Sequence, residues 1–131
     1  MSENAERLRA SCEMWESRGQ PDWSLLDPDV VFEDNVLPDH AGDTHRGQEG
    51  VVRAALNWLA AYEQSTIELE QIVGSGDRIV SIHRFRGKGR YSGIEDGGRY
   101  AYLWTFRDGQ VIHFVSFRDP ADALEAIGLR Q

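Results

Sequence analysis

Midway along this chain the spacing of its apolar residues changes, and that change limits the fold more than any motif does. In the first half they recur at offsets of three and four; from Thr66 onward they alternate. Ala5, Leu8, Cys12 and Trp15 form one stripe, which predicts a helix over Ala5–Ser17 ended by Gly19. Val51, Ala55, Trp58 and Tyr62, with Val52, Leu56 and Leu59 beside them, predict a longer helix over Gln48–Tyr62. Between the two, Pro21–Leu26 suits a short helix broken by Asp27-Pro28-Asp29. Val30–Glu33 then reads as a strand and Pro38–Asp43 as a loop.

After the switch, Ile67, Leu69 and Gln71 alternate with Glu68, Glu70 and Ile72 up to the turn Gly74-Ser75-Gly76-Asp77. Arg78–Arg86 is the next strand, which the glycine-punctuated stretch Gly87–Gly98 either loops out or extends. Asp108-Gly109 joins Arg99–Phe106 to Val111–Phe117 as an antiparallel hairpin. Asp119-Pro120 opens a last short helix in which Ala123, Leu124 and Ile127 repeat helically before Gly128. The order α-α-β-α-β-β-β-β-α predicts an α+β domain, with helices gathered on one face of a curved antiparallel sheet wrapped around the long helix. At 131 residues this is one domain, 1–131. Such a cone, closed at one end by helices, leaves a small-molecule pocket.

The net charge of −8 argues against a grip on phosphate backbones or anionic lipid, so neither nucleic acid nor membrane is an expected partner. Cys12 is the single cysteine, which excludes an internal disulfide and a cysteine-cluster metal site. No apolar run suits a membrane span, and the start Met1-Ser2-Glu3-Asn4-Ala5-Glu6 is polar and acidic, so the expectation is a cytoplasmic protein without a signal peptide. His40 and His45 share a loop with Asp39 and Asp43, but no spacing locks them on one face; no metal and no cofactor are expected.

Period two sorts the strands into faces. Val30, Phe32 and Asp34 share a side, as do Ile79, Ser81, His83 and Phe85, then Tyr100, Tyr102, Trp104 and Phe106, then Ile112, Phe114 and Ser116. Asp34, His83 and Tyr102 interrupt otherwise apolar sets, and an ionisable group on an apolar face is costly unless paired or used. Each has a plainer reading: Asp34 as a turn cap in solvent, His83 as a hydrogen-bonded core histidine, and Tyr102, like Trp104, as a volume filler. Trp15, Trp23 and Trp58 are core or pocket wall by helical spacing. Trp15, Phe32, Trp58, Tyr62, Ser81, Trp104 and Phe114 are the candidate substrate-binding wall.

The order of elements resembles the SnoaL-like branch of the nuclear transport factor 2-like superfamily. So do the stretch Leu26-Asp27-Pro28-Asp29-Val30-Val31-Phe32-Glu33-Asp34, the helix start Arg46-Gly47-Gln48-Glu49-Gly50, the turn Gly76-Asp77 and the ending Ala121–Leu129. That resemblance implies a cone-shaped α+β barrel, a homodimer through the outer sheet face, and a pocket used by ketosteroid isomerases, polyketide cyclases, dehydratases and plain binding domains. It places Asp34 where the isomerase has its proton-moving Asp. Cys12 and Tyr102 stand where the isomerase has its two oxyanion donors. The functional expectation is a cofactor-independent lyase or isomerase acting on a small apolar carbonyl compound, with Asp34 and His83 handling protons and Tyr102 polarising oxygen. The alternative is a non-catalytic domain that binds a hydrophobic ligand. An apolar outer face carrying Val80, Ile82, Ala101, Leu103, Thr105, Val111, Val115 and Phe117 needs a helix or a second subunit to cover it.

Overall fold

The chain's first helix is fixed at both ends by its own capping residues. The Ser2 hydroxyl accepts from the Ala5 N–H at 3.2 Å, and Gly19, at φ 70°, closes the far end by donating its N–H to the Trp15 carbonyl. In the computed structural model, which describes residues 2–128, this helix is α1, Glu3–Arg18. Leu129, the last residue of the SnoaL-like ending, lies outside the described residues. The elements that follow are β1 (Leu26–Asp34), β2 (Asp43–Arg46), α2 (Gly47–Ala61), β3 (Tyr62–Ser75), β4 (Arg78–Gly89), β5 (Glu95–Arg107), β6 (Gln110–Phe117) and α3 (Pro120–Ala126).

The strands form one six-stranded sheet in the order β2-β1-β6-β5-β4-β3, curved but not closed, since β2 and β3 stand at opposite edges. The α+β class is as expected; the all-antiparallel sheet is not, because β1 runs parallel to β6. That pair is distant in sequence, so no hairpin could have announced it. Asp108 and Gly109, at φ 52° and 78°, make the tight turn between β5 and β6 that their identities predict.

Local departures from expectation have local causes. Pro21–Leu26 does not make a helix: a single 3₁₀ turn at Trp23–Leu25, capped by the Asp22 carboxylate, is all that forms before β1 begins. Asp27-Pro28-Asp29 does not end an element; it lies inside β1, where the pairing with β6 shifts between Leu26 and Val31 and the missing proline N–H is tolerated. The expected loop around His45 instead holds the four-residue strand β2, paired with β1. Tyr62 begins β3 instead of ending the long helix, and β3 takes in residues before Thr66 through a register break at Glu63/Thr66, with Gln64 at φ 52°. The glycine-rich stretch extends β4 to Gly89 and starts β5 at Glu95.

Both long helices lie on the inner face. Ala5, Leu8 and Cys12 of α1 and Val51 and Ala54 of α2 form one buried cluster with Val30, Phe32, Ile79, Phe106 and Phe114. On the outer face α3 covers Val80, Ile82, Ala101 and Leu103 through Ala123 and Leu124, so part of the expected bare face is met within the chain. Full burial of a leucine such as Leu124 is worth about 2 kcal/mol. Val111 is on the inner side, contrary to its parity. Trp104 pairs with Phe114 and Thr105 with His113, but Phe106 pairs with Val111, so Ile112 is the extra residue of a bulge.

The start of α2 presses against β2 so closely that an added Cβ at Gly50 would sit 2.9 Å from the His45 carbonyl carbon. Helix propensity alone predicts that Gly50→Ala stabilises by about 1 kcal/mol, whereas overpacking against backbone costs about 1–3 kcal/mol. The expected outcome is net destabilisation, read as a lower urea midpoint at unchanged m-value.

Candidate functional site

Between α1, α2 and the inner sheet face lies a cavity of about 130 Å³, lined chiefly by apolar side chains. Antiparallel pairing of β4 with β5 sets Ile79 opposite Trp104, Ser81 opposite Tyr102 and His83 opposite Tyr100, all facing inward. The rings make a continuous row. His83 stacks on Tyr100 with centroids 5.4 Å apart and meets the edge of Tyr102 at 5.4 Å. Tyr102 leans on Trp104 at 5.3 Å, Trp104 stacks on Phe114 at 4.5 Å, and Phe114 stacks on Phe32 at 4.4 Å. Such pairs contribute about 0.5–1.5 kcal/mol each beyond their buried area, which makes this wall rigid.

Asp34 ends β1 at the cavity wall and is 5% exposed. Its Oδ1 accepts from the Val36 N–H at 3.0 Å, the Leu37 N–H at 3.2 Å and the Ser116 hydroxyl at 3.4 Å. Among the described residues Oδ2 has no hydrogen-bond partner. Asp34 is therefore a turn cap, as its plainer reading held, but one buried beside the cavity instead of standing in water.

His83 sits at the centre of a short relay. The Trp104 indole N–H donates to the Ser81 hydroxyl oxygen at 2.7 Å, and that oxygen lies 2.8 Å from His83 Nε2, while His83 Nδ1 is buried with no partner among the described residues. Trp104 can only donate, so Ser81 has already used one lone pair. If Ser81 then donates to Nε2, the Nδ1–H is the one group left unsatisfied. If Nε2–H donated to Ser81 instead, both the Ser81 O–H and the bare Nδ1 would be orphaned. The first arrangement leaves fewer buried polar groups unpaired and makes Nδ1 a donor. Burial also pushes the His83 pKa down to about 4, so the ring is neutral at physiological pH.

Burial holds the Tyr102 phenol well above its ordinary range, with the Asp34 charge acting in the same direction, and Tyr100 is likewise raised by burial first. Cys12, also on the wall, is pushed up to about 12 by burial and by Glu16, so it is a thiol and not a thiolate. Trp58 contributes its ring to the wall and holds a buried indole N–H with no partner among the described residues.

The structure thus places Asp34, His83, Tyr102, Trp15, Phe32, Trp58, Trp104 and Phe114 on one cavity. Among the described residues no hydrogen bond or ion pair joins Asp34 to His83. Two expected wall residues lie elsewhere. Ser81 is fully buried behind His83 and Trp104, because a small side chain between two large ones cannot reach the void. Tyr62 begins a strand, so its hydroxyl points to Asp96 Oδ2 at 3.2 Å and it lines a separate depression with Arg90 and Tyr91. Tyr100 and Ser116 are on the wall without having been singled out, although both share the inward parity. Outside the site, His113 pairs with Glu33 at 2.8 Å and His40 with Asp43 at 2.9 Å. Among the described residues no group of three or more His, Cys, Asp or Glu could hold a metal ion, and no helix is long and apolar enough to cross a membrane.

A curved sheet over two helices, enclosing an aromatic cavity with a carboxylate at the end of the first strand, defines a nuclear transport factor 2-like, ketosteroid isomerase-like fold. The model of the SnoaL-like domain matches residues 8–114, most of the chain, and the protein belongs to that family. A comparison with curated proteins finds no match. Among solved structures, a nuclear transport factor 2-like protein of unknown function from Burkholderia pseudomallei is 23% identical, with 98% of this chain and 100% of that one covered at a TM-score of 0.76. A protein assigned by likeness as a SnoaL-like polyketide cyclase, from Jannaschia, is 18% identical, with 100% and 98% covered at a TM-score of 0.72. A ketosteroid isomerase-like protein from Catenulispora acidiphila, solved with trimethylamine, is 15% identical, with 90% and 92% covered at 0.67.

The depressed His83 pKa has a sign. Unfolded, the imidazole binds a proton near pH 6.5; folded, it does so only near 4. Its neutral burial therefore carries no protonation-linked cost above pH 6.5 and costs stability progressively as pH falls toward 4, by about 3 kcal/mol in all. His83→Phe should flatten the acid side of the stability curve over that window. Long-range ¹H–¹⁵N spectra of the wild type should show the Nδ1–H tautomer and no His83 titration between pH 5 and 8.

Proposed function

We propose that this protein binds a small, neutral, mostly apolar carbonyl compound and moves a proton beside its carbonyl group, as a cofactor-independent isomerase, cyclase or dehydratase does. The observation that carries this is Asp34: one carboxylate oxygen held by two backbone N–H groups, the other without a partner among the described residues, on the wall of an apolar cavity. In this reading Oδ2 takes a proton from the carbon next to the carbonyl. The C–H electrons become a carbon–carbon double bond, and the carbonyl π electrons move to oxygen. The Tyr102 hydroxyl donates to that oxygen, and Asp34 returns the proton. His83 is not the base, because Nε2 is already engaged by Ser81; it packs against Tyr102 and holds that ring in place. Family membership and neighbours described as polyketide cyclases support the same chemistry.

A non-catalytic binding domain is the second reading. It is favoured by the other two candidates: burial pushes the His83 pKa down and the Tyr102 pKa up, so neither trades a proton near neutrality. A homodimer in the cytoplasm belongs to the same proposal, a second subunit covering the half-buried Val115 and Phe117.

Exchange of the α-protons of cyclohexanone in D₂O, followed by NMR, separates the two readings. The enzyme should accelerate exchange, and Asp34→Asn should lower that acceleration by about 10²-fold or more while leaving the melting transition cooperative. No acceleration by the wild type would leave the binding domain. Light scattering should give twice the 14.8 kDa chain mass at micromolar concentration.

A further inference from the structure

The parallel pairing of β1 with β6 has its last partners in Glu33 and Val115, so Asp34 stands level with Ser116 as β1 leaves the sheet. The next N–H, that of Asn35, is received by a side chain instead of a strand carbonyl: the Ser116 hydroxyl oxygen accepts it at 2.8 Å, and the Asn35 side-chain amide donates to the Ser116 carbonyl at 3.1 Å. The same hydroxyl donates to Asp34 Oδ1 at 3.4 Å. A hydroxyl can accept and donate at once, which an alanine methyl cannot. The other ties on this turn leave the carboxylate to swing with it. The Val36 and Leu37 N–H groups reach Oδ1 from the turn itself. Arg118 holds the Val36 carbonyl at 3.1 Å and the Gly42 N–H holds the Asp34 carbonyl at 2.6 Å, but neither touches the carboxylate. Among the described residues, Ser116 alone joins both the carboxylate and the turn to the neighbouring strand.

We infer that Ser116 is the positioning residue of the site: its hydroxyl fixes the Asp34 carboxylate with Oδ1 toward the Val36–Leu37 turn, and so leaves Oδ2 as the oxygen available for proton transfer. This rests on the reading of Asp34 as the base and names what holds that base in place. The three donors to Oδ1 make the two carboxylate oxygens unequal, since rotating the group to exchange them would break all three bonds. Ser116 is 1% exposed and acts through Asp34, not on the reacting atoms. It also pairs directly with Tyr102 on the neighbouring strand, so Asp34, Ser116 and Tyr102 share one rung across β1, β6 and β5. The base and the phenol are thus two strand spacings apart, about 10 Å, with the small serine side chain between them. A proton-transfer geometry set in this way is sensitive to small displacements: a shift of about 1 Å can cost about 10²-fold in rate.

The test uses Ser116→Ala and Ser116→Cys in the full chain. The second keeps the volume with a thiol that bonds weakly, so a folding failure of one variant leaves the other to decide. In the α-proton exchange of cyclohexanone each should lower kcat by about ten- to a hundredfold with KM within about twofold of the wild type. Neither should lower kcat further in an Asp34→Asn background, because the hydroxyl acts only through that carboxylate. In ¹H–¹⁵N spectra the Val36 and Leu37 amide signals, which report the bonds to Oδ1, should move in both variants toward their positions in Asp34→Asn. That readout needs no activity: if the wild type exchanges no protons the catalytic reading fails, and the amide signals still decide whether Ser116 sets the carboxylate. Stationary Val36 and Leu37 signals, a wild-type kcat in either variant of an active protein, or a loss carried by KM instead of kcat would overturn the inference.

Discussion

The unbroken register between β4 and β5 is what the rest of the site depends on. Every other long pairing in the sheet carries a shift, β1 with β6, β3 with β4 and β5 with β6, but Arg78 to Lys88 pairs step by step with Thr105 to Glu95. A slip of one residue there would turn His83, Tyr100, Tyr102 and Trp104 to the opposite face together. It would also separate Ser81 from Trp104 and undo the hydrogen bonds that orient the imidazole. The irregularities are confined to the flanking pairings, where they bend the sheet over the helices and leave this central ladder straight enough to keep one row of rings.

Within that row the electrostatics are one-sided. Burial keeps His83 neutral, keeps the tyrosine hydroxyls protonated and keeps Cys12 a thiol, so each presents a hydrogen-bonding group without charge. Asp34 differs because backbone N–H groups of the Val36–Leu37 turn accompany it into the interior. The cavity wall therefore combines one anchored carboxylate with side chains that burial keeps uncharged.

Much of this was legible in the sequence, because period and turn chemistry are local. The helical stripe through Leu8 and Cys12, the Asp108-Gly109 turn and the inward parity of His83, Tyr102 and Trp104 could each be read from a few neighbouring residues. What could not be read depends on partners far away in the chain. The parallel pairing of β1 with β6, the four-residue β2 and the bulge that turns Val111 inward are set by which strands meet. Tyr62 was misplaced because a residue on a helical stripe can equally well begin the next strand. Ser81 had the right parity, yet its small side chain lies behind its larger neighbours; parity gives direction but not reach.

The edges of the open sheet bear on how this protein behaves in a crowded solution. Open strands invite edge-to-edge association with other chains, the first step toward amyloid-like aggregation. Here one edge is β2, too short at Asp43–Arg46 to template much, and the other is β3, interrupted at Glu63/Thr66 and again at Leu69/Gln71. Along β3 the exposed Glu68 and Glu70 add charge, with Glu70 held by Arg99 at 2.7 Å and Arg84 at 3.4 Å. The unclosed sheet is thereby kept from recruiting its neighbours.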